Sequence, residues 1–427
     1  MVRVRNVLVF PGGTEIGLEI RNCLADRKEV QLFSAAAPDS NHAPFAYRFH
    51  DVVPPLGDPE WFDALCEVIQ HREIDYVFAA HEDVLLELGR RRDELGAVLV
   101  ASAQETLEIA RSKTATYAAL QGVVRTPALL DAGDPLLAFP VFVKPDRGAG
   151  SRDARVVDSV EDLVRAVSVD EQMIVSENLP GEECTVDCLS DRVRGLVYSG
   201  PRRRVRTRSG ISMDSYNVQD PELDEMARAI DKTLHPRGAW FFQARRAITG
   251  EWCLLEVGAR LGGTMALSRA RGANLAWLSI LEAEGSEFDV LLGEYDVRID
   301  RALLNRFSTG VRYSTVYVDL DDTLILGDRV NIPVVRFLFQ AINAGKRIVL
   351  ITRHDGDPEE TLRRFRLSGV PDEVVHLDRH SSKADVIADA DAIFIDDSFG
   401  ERADVAREAG IPTFDVSMLE ALIDDRA

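Results

Sequence analysis

VFVKPDRGAGSR, residues Val141 to Arg152, joins a β-branched and aromatic run to a glycine loop. Val141, Phe142 and Val143 read as a buried strand that delivers Lys144 at its end, and Pro145 leads on into a loop with Gly148 and Gly150. Glycine lets backbone N–H groups approach an anion closely, and a lysine ammonium at a strand end adds a point charge to the same anion. The stretch therefore suits a phosphate, although an ordinary hairpin turn uses the same glycines. The pattern downstream decides between the two.

The 427 residues give room for about three domains at ~150 residues each. With 46% hydrophobic and 28% charged residues the composition is globular rather than disordered. A net charge of -21 and a pI near 4.9 argue against nucleic acid or an anionic membrane as partner, since both are held by positive surfaces. No apolar run approaches the ~20 residues of a membrane span. Met1 to Asn6 leads into a strand rather than a signal peptide, so the expected location is cytoplasmic. Cys23, Cys66, Cys184, Cys188 and Cys253 are scattered and suit reduced thiols; Cys184 and Cys188 lack further ligands at zinc spacing.

Upstream, NVLVF (Asn6 to Phe10), PGGTEIG and the amphipathic Leu18 to Leu24 read as strand, glycine turn and helix. Gly12, Gly13 and Gly17 depart from G-x-G-x-x-G, which favours a tight βα turn over a nicotinamide site. A helix from Glu60 to Gln70 and a strand from Ile74 to Ala80 follow, and a third unit ends at AVLVAS. His81, Glu82 and Asp83 fall just past a strand's carboxyl end, where open α/β sheets bind ligands.

Downstream of the opening stretch, MIVSENLPGEECTVDCL gives strand, connection and strand, and WFFQARRAITGEWCLLEVGARLGG gives two antiparallel strands joined at Thr249 and Gly250, with Gln243 and Glu256 placed to face each other. With ARSKTATYAAL before them, these segments resemble the ATP-grasp superfamily, in particular the carbamoyl-phosphate synthase-like carboxylate ligases. The resemblance implies an α/β domain preceding the ATP-binding part (residues 1–110) and an α+β ATP-grasp domain (residues 111–308).

It also implies roles. Lys113 and Lys144 stand for the two phosphate-binding lysines, and Gly148 to Arg152, with Gly150 and Ser151, for the loop that closes over the phosphates. Glu177, Asn178 and Leu179 would lie along the adenine, and Glu183 would accept from the ribose hydroxyls. Glu256 would be the chief Mg²⁺ ligand with Gln243 second, Mg²⁺ taking its remaining oxygens from phosphate and water. The family usually has Asn two residues after that Glu; here the position is Gly258, which leaves open a water ligand, a site with one weak metal, or a site without turnover. Arg260 matches the arginine beside the transferred phosphoryl group. Arg202, Arg203, Arg204, Arg206, Arg208, Arg269 and Arg271 are unranked candidates for gripping a substrate carboxylate.

The final stretch carries a second signal. VYVDLDDTLIL ends a buried strand in Asp319, Asp321 and Asp322, a crowding of carboxylates that is costly without a cation. RIVLIT ends in Thr352, Lys383 follows a Ser pair and opens a helix, and AIFIDD ends in Asp396 and Asp397. These four motifs in order resemble the haloacid dehalogenase-like (HAD) phosphatases, implying a C-terminal Rossmann-like domain over residues 311–427. By that resemblance Asp319 is the nucleophile and Asp321 the general acid and base. Thr352 and Lys383 hold phosphoryl oxygens, while Asp319, the Asp321 carbonyl, Asp396 and Asp397 hold Mg²⁺. Between Thr323 and Ile348 there is room for a loop and a helix over Val334 to Ala344, and between Thr352 and Lys383 for one helix and one strand, so no cap domain is expected.

The expectation is an α/β protein that uses ATP and Mg²⁺ to join a small-molecule carboxylate to an amine through an acyl phosphate, with a phosphatase acting on a related phosphorylated compound. A homo-oligomer stays open. The alternative is a nucleotide-binding module without turnover that regulates or scaffolds the phosphatase.

Overall fold

The computed structural model describes residues 3–39, 41–148, 153–169 and 172–426. Gly150 and Ser151 of the expected phosphate loop lie outside the described residues. The chain divides into two compact units, residues 1–303 and 304–426.

The first unit opens with a five-stranded parallel sheet in the order His50–Val52, Val30–Ala36, Arg5–Phe10, Tyr76–Ala79, Val98–Leu99. Its three central strands send buried apolar side chains to both faces, as a parallel sheet covered by helices requires, while the edge strands His50–Val52 and Val98–Leu99 are partly exposed. Thr14 caps the helix Glu15–Leu24 by accepting from the Gly17 amide at 3.0 Å. A Cβ at Gly17 would meet the Gly12 carbonyl at 2.5 Å, so the helix sits this close to the turn only because residue 17 is glycine. The chain leaves the Arg5–Phe10 strand toward one edge of the sheet and the Tyr76–Ala79 strand toward the other. That reversal places the helix starts at Glu15 and Glu82 side by side at the carboxyl ends of the strands.

A three-stranded antiparallel sheet follows, Arg155–Val157, Val141–Pro145 and Met173–Glu177, with helix Val160–Val167 beside it. The six-stranded antiparallel sheet runs Trp252–Gly258, Gly238–Arg246, Glu183–Asp191, Gly195–Arg208, Ile211–Asn217, Arg298–Asp300. Trp240 and Phe242 are fully buried with Ile230 of helix Pro221–Leu234, about 1.5–3 kcal/mol for each large side chain. The opposite face, through Leu189, Ala239 and Phe241, joins the core beneath helix Leu275–Glu284. Polar residues of these strands are left to face a cavity.

The second unit is a five-stranded parallel sheet, Glu373–His376, Arg347–Thr352, Thr315–Val318, Ala392–Ile395, Thr413–Phe414. Its core is made from residues after 310, with Phe337, Leu338 and Ile348 fully buried. A short hairpin (Ile325–Leu326 with Arg329–Val330) and helix Ile332–Asn343 occupy the first gap, helix Pro358–Arg364 and a strand the second. The helix expected to open at Lys383 is a single 3-10 turn, Ala384–Val386, too short to bury a face of its own.

All five cysteines are free thiols, and four of them are buried. No helix among the described residues is long and apolar enough to cross a membrane.

Candidate functional site

In the first unit a cavity of about 260 Å³ opens between the three- and six-stranded sheets and the helix starts at Glu15 and Glu82. Lys144 enters from the strand of the opening stretch. It is 6% exposed and donates to the Tyr117 hydroxyl at 2.7 Å. Burial, with the neighbouring Lys113 ammonium acting the same way, pushes its pKa down to about 8. Lys113 was expected inside one helical run. The chain instead breaks at Ser112, between helices Gln104–Arg111 and Lys113–Ala119, because Ser112 caps the second helix and Asp146 accepts from Ser112 Oγ and the Thr114 amide, both at 2.7 Å. Lys113 Nζ then reaches the Asp146 carbonyl at 3.2 Å. Sequence reasoning passed over Tyr117 and Asp146, although Tyr117 is one helical turn from Lys113 and Asp146 lies within the opening stretch.

Glu177 and Leu179 line the cavity with Phe142 and Gly148, whereas Asn178 is absent from the lining. The Glu177 carboxylate is held by Arg125 at 2.8 Å. Glu183 is also committed: Arg204 donates to it and, at 2.8 Å, to Gln243 Oε1. Across the hairpin Gln243 pairs with Glu256 and Phe241 with Gly258. The Glu256 carboxylate makes no hydrogen bond or ion pair among the described residues and stands in the cavity with both lysines.

These donors fit a divalent cation in part. Glu256 is a free oxygen ligand, while the Gln243 oxygen already carries a guanidinium. At Gly258 a Cβ would lie 2.4 Å from Phe241 Cε1 and Cζ, so the phenyl ring occupies the space that a side chain at this position would need. Arg260 lines the cavity and is braced by Glu82 at 2.8 Å.

Of the seven candidate arginines, Arg202 and Arg204 line the cavity. Arg203 pairs with Glu182, Arg206 with Asp300 and Arg269 with Glu19, and neither Arg208 nor Arg271 reaches the lining. Arg202 is 3% exposed, with Nε on the fully buried Asp187 at 3.0 Å and a buried Nη1 that has no partner. A buried donor left without a partner among the described residues costs about 1–3 kcal/mol, so Arg202 is held at a cost to stability beside the cavity.

The second unit gathers its own cluster at the strand ends. Lys383 Nζ donates to Asp319 Oδ1 at 2.6 Å and to Asp396 Oδ2 at 2.7 Å. Asp319, Asp396 and Asp397 offer carboxylate oxygens within 4.8 Å of one another. Burial, reinforced by Asp396 against the pull of Lys383, pushes the Asp319 pKa up to about 7. Three carboxylates this close, with one lysine to offset them, fit a divalent cation. Thr323 braces Asp397 at 3.1 Å, Thr352 is fully buried, and Asp321 is half exposed and meets His354.

Residues 169–301 match a family model described as "ATP-grasp in the biosynthetic pathway with Ter operon". The biotin carboxylase of Campylobacter jejuni, solved as a β-γ-ATP complex, is similar over 67% of this chain and 72% of its own, with 16% identity and a TM-score of 0.56. The L-amino acid ligase of Bacillus licheniformis is similar over 66% and 75%, at 19% identity and 0.54. The biotin carboxylase domain dimer of Hydrogenobacter thermophilus 2-oxoglutarate carboxylase, in complex with MgADP, ADP and bicarbonate, is similar over 67% and 71%, at 14% and 0.56. At such identities the likeness is one of fold, and it covers more of the chain than the second unit contains.

Proposed function

We propose that the chain is an ATP-dependent carboxylate–amine ligase, built from an α/β domain over residues 1–110 and an ATP-grasp domain over residues 111–308, followed by a HAD-type phosphatase over residues 311–427. One observation carries the ligase reading: Lys113, Lys144, Arg202 and the Glu256 carboxylate, unpaired among the described residues, line one cavity. In this reading ATP lies between the two smaller sheets with its phosphates on the lysines, and Arg202 holds the acceptor carboxylate. A carboxylate oxygen attacks the γ-phosphorus as the bond to the β-bridging oxygen breaks, leaving ADP and an acyl phosphate. The amine then adds to the acyl carbon, phosphate leaves and the nitrogen loses its proton. Arg260, braced by Glu82, offsets charge at the transferred group. Glu256 would hold Mg²⁺, which would supply positive charge to offset that of the phosphates.

In the phosphatase, Asp319 attacks a phosphate ester while Asp321 protonates the leaving oxygen; Asp321 then takes a proton from the water that releases phosphate. Lys383 and Thr352 hold the phosphoryl oxygens, and Asp319, Asp396, Asp397 and the Asp321 carbonyl would hold Mg²⁺. Phe241 against Gly258, and the commitment of Gln243 to Arg204, favour a second reading in which the first unit binds nucleotide without turnover.

The test is ADP and phosphate release from MgATP with a pooled panel of amino acids and small carboxylic acids. Substrate-dependent ADP is expected from the full chain and from Asp319→Asn, and not from Lys144→Ala or Glu256→Gln. No ADP with any acceptor, while a phosphate ester is still hydrolysed, would favour the binding module.

A further inference from the structure

His354 lies two residues past Thr352, where the chain leaves the Arg347–Thr352 strand. Its backbone is held on both sides: the amide donates to Thr352 Oγ1 at 3.1 Å, and the carbonyl oxygen lies 2.8 Å from His376 Nε2 at the end of the adjacent strand. The ring is held as well. Nδ1 lies 2.9 and 3.0 Å from the two Asp321 oxygens, and Nε2 is 2.9 Å from Thr361 Oγ1 on helix Pro358–Arg364.

The other acidic groups of the cluster are fixed by Lys383 or by Thr323. Asp321 has a side chain 51% exposed, and among the described residues its carboxylate is met by His354 alone. A half-exposed carboxylate with free rotamers would point at the reacting group only part of the time. We propose that His354 is a positioning residue: Thr361 and the two backbone contacts fix its ring, and the ring fixes the Asp321 carboxylate in the orientation that exchanges a proton with the reacting phosphoryl group.

The proposal rests on the phosphatase reading and adds to it a residue outside the four motifs. The proton inventory is consistent. An ionised carboxylate only accepts, so Nδ1 carries the hydrogen and Nε2 accepts from the Thr361 hydroxyl. When Asp321 holds the proton it is about to deliver, Nδ1–H still donates to the other oxygen. Asp319 forms its bond to phosphorus as the ester P–O bond breaks, and the alcohol leaves with the proton of Asp321. Water then displaces Asp319 from phosphorus and returns a proton to Asp321. The imidazole neither gains nor loses a proton in the cycle, whose net reaction is ester plus water to alcohol plus phosphate.

The test uses the full chain with Mg²⁺ and two esters, p-nitrophenyl phosphate, whose leaving group needs no proton, and n-propyl phosphate, whose leaving group does. His354→Ala should lower kcat on the propyl ester at least about tenfold, lower it less on the nitrophenyl ester, and leave KM within about twofold. His354→Asn, whose amide nitrogen takes the place of Nδ1, should recover most of the loss. Thr361→Val leaves Asp321 and its partner in place and should give an intermediate loss, a reading available even if His354→Ala fails to fold. Equal losses on both esters with no recovery in His354→Asn, or unchanged kcat in His354→Ala, would overturn the positioning role. Wild type inactive on both esters, or an active Asp319→Asn, would instead remove the phosphatase reading and this proposal with it.

Discussion

Lys144 carries a positive charge in a place that disfavours it until an anion arrives. Its ammonium keeps one good hydrogen bond, to Tyr117, and sits near a second lysine. An ordinary lysine titrates at 10.5, and here the value is about 8, a difference on the order of 3 kcal/mol against the buried charge. The folded protein therefore binds fewer protons than the unfolded chain between about pH 8 and 10.5, so its stability climbs across that window. Below it the full cost remains. Lys144→Met should raise stability at pH 7 by on the order of 1–3 kcal/mol, leave it nearly unchanged at pH 10.5, and abolish ATP binding. Urea denaturation at the two pH values, with a nucleotide titration, checks all three; loss of stability at pH 7 would refute the account.

Among elements, the hairpin Gly238–Arg246 with Trp252–Gly258 supplies Phe241, Gln243, Arg245, Leu255 and Glu256 to the cavity wall. The hairpin itself was legible, but the turn register (Arg246 with Trp252, Ala244 with Leu254) would set Gln243 against Leu255, and Gln243 meets Glu256 only through a register shift between Gln243 and Ala244. That Phe241 would fill the space above Gly258 was not legible, since it depends on the direction of a ring rather than on spacing. Adding a methyl there should destabilise the protein: Gly258→Ala is expected to cost about 1–3 kcal/mol, and less in a Phe241→Leu background. Additive costs in the four-variant cycle, read by urea denaturation, would show that the ring is not the obstacle. The five arginines of Arg202 to Arg208 posed a similar difficulty. Regular alternation would put Arg202, Arg204, Arg206 and Arg208 on one face, but the strand is irregular on both sides of Arg206, and the two arginines before the irregularity line the cavity while Arg206 ends in solvent. Lys113 was readable as a charge on a helix, whereas the break before it depends on Asp146, distant in sequence and adjacent in space.

At the scale of the molecule, each unit closes its own core. Trp240, Phe242 and their neighbours are drawn from residues before 304, and Phe337, Phe394 and their neighbours from residues after 310. The alternation of strands and helices in both units could be read from apolar runs ending at glycine turns or acidic clusters, which is why their parallel sheets were foreseeable; the antiparallel order of six strands, set by long-range pairing, was not. Residues 304–426 expressed alone should unfold cooperatively in urea and release phosphate from p-nitrophenyl phosphate in the presence of Mg²⁺. A non-cooperative transition would show that this unit depends on the rest of the chain.

Self-contained cores also have a genetic consequence. A lesion that melts one hydrophobic interior should leave the other unit folded, so two variants each damaged in a different unit are expected to complement one another in trans. Inheritance on one polypeptide then fixes the dosage of the two units at one to one, a ratio that separate genes would have to achieve by regulation.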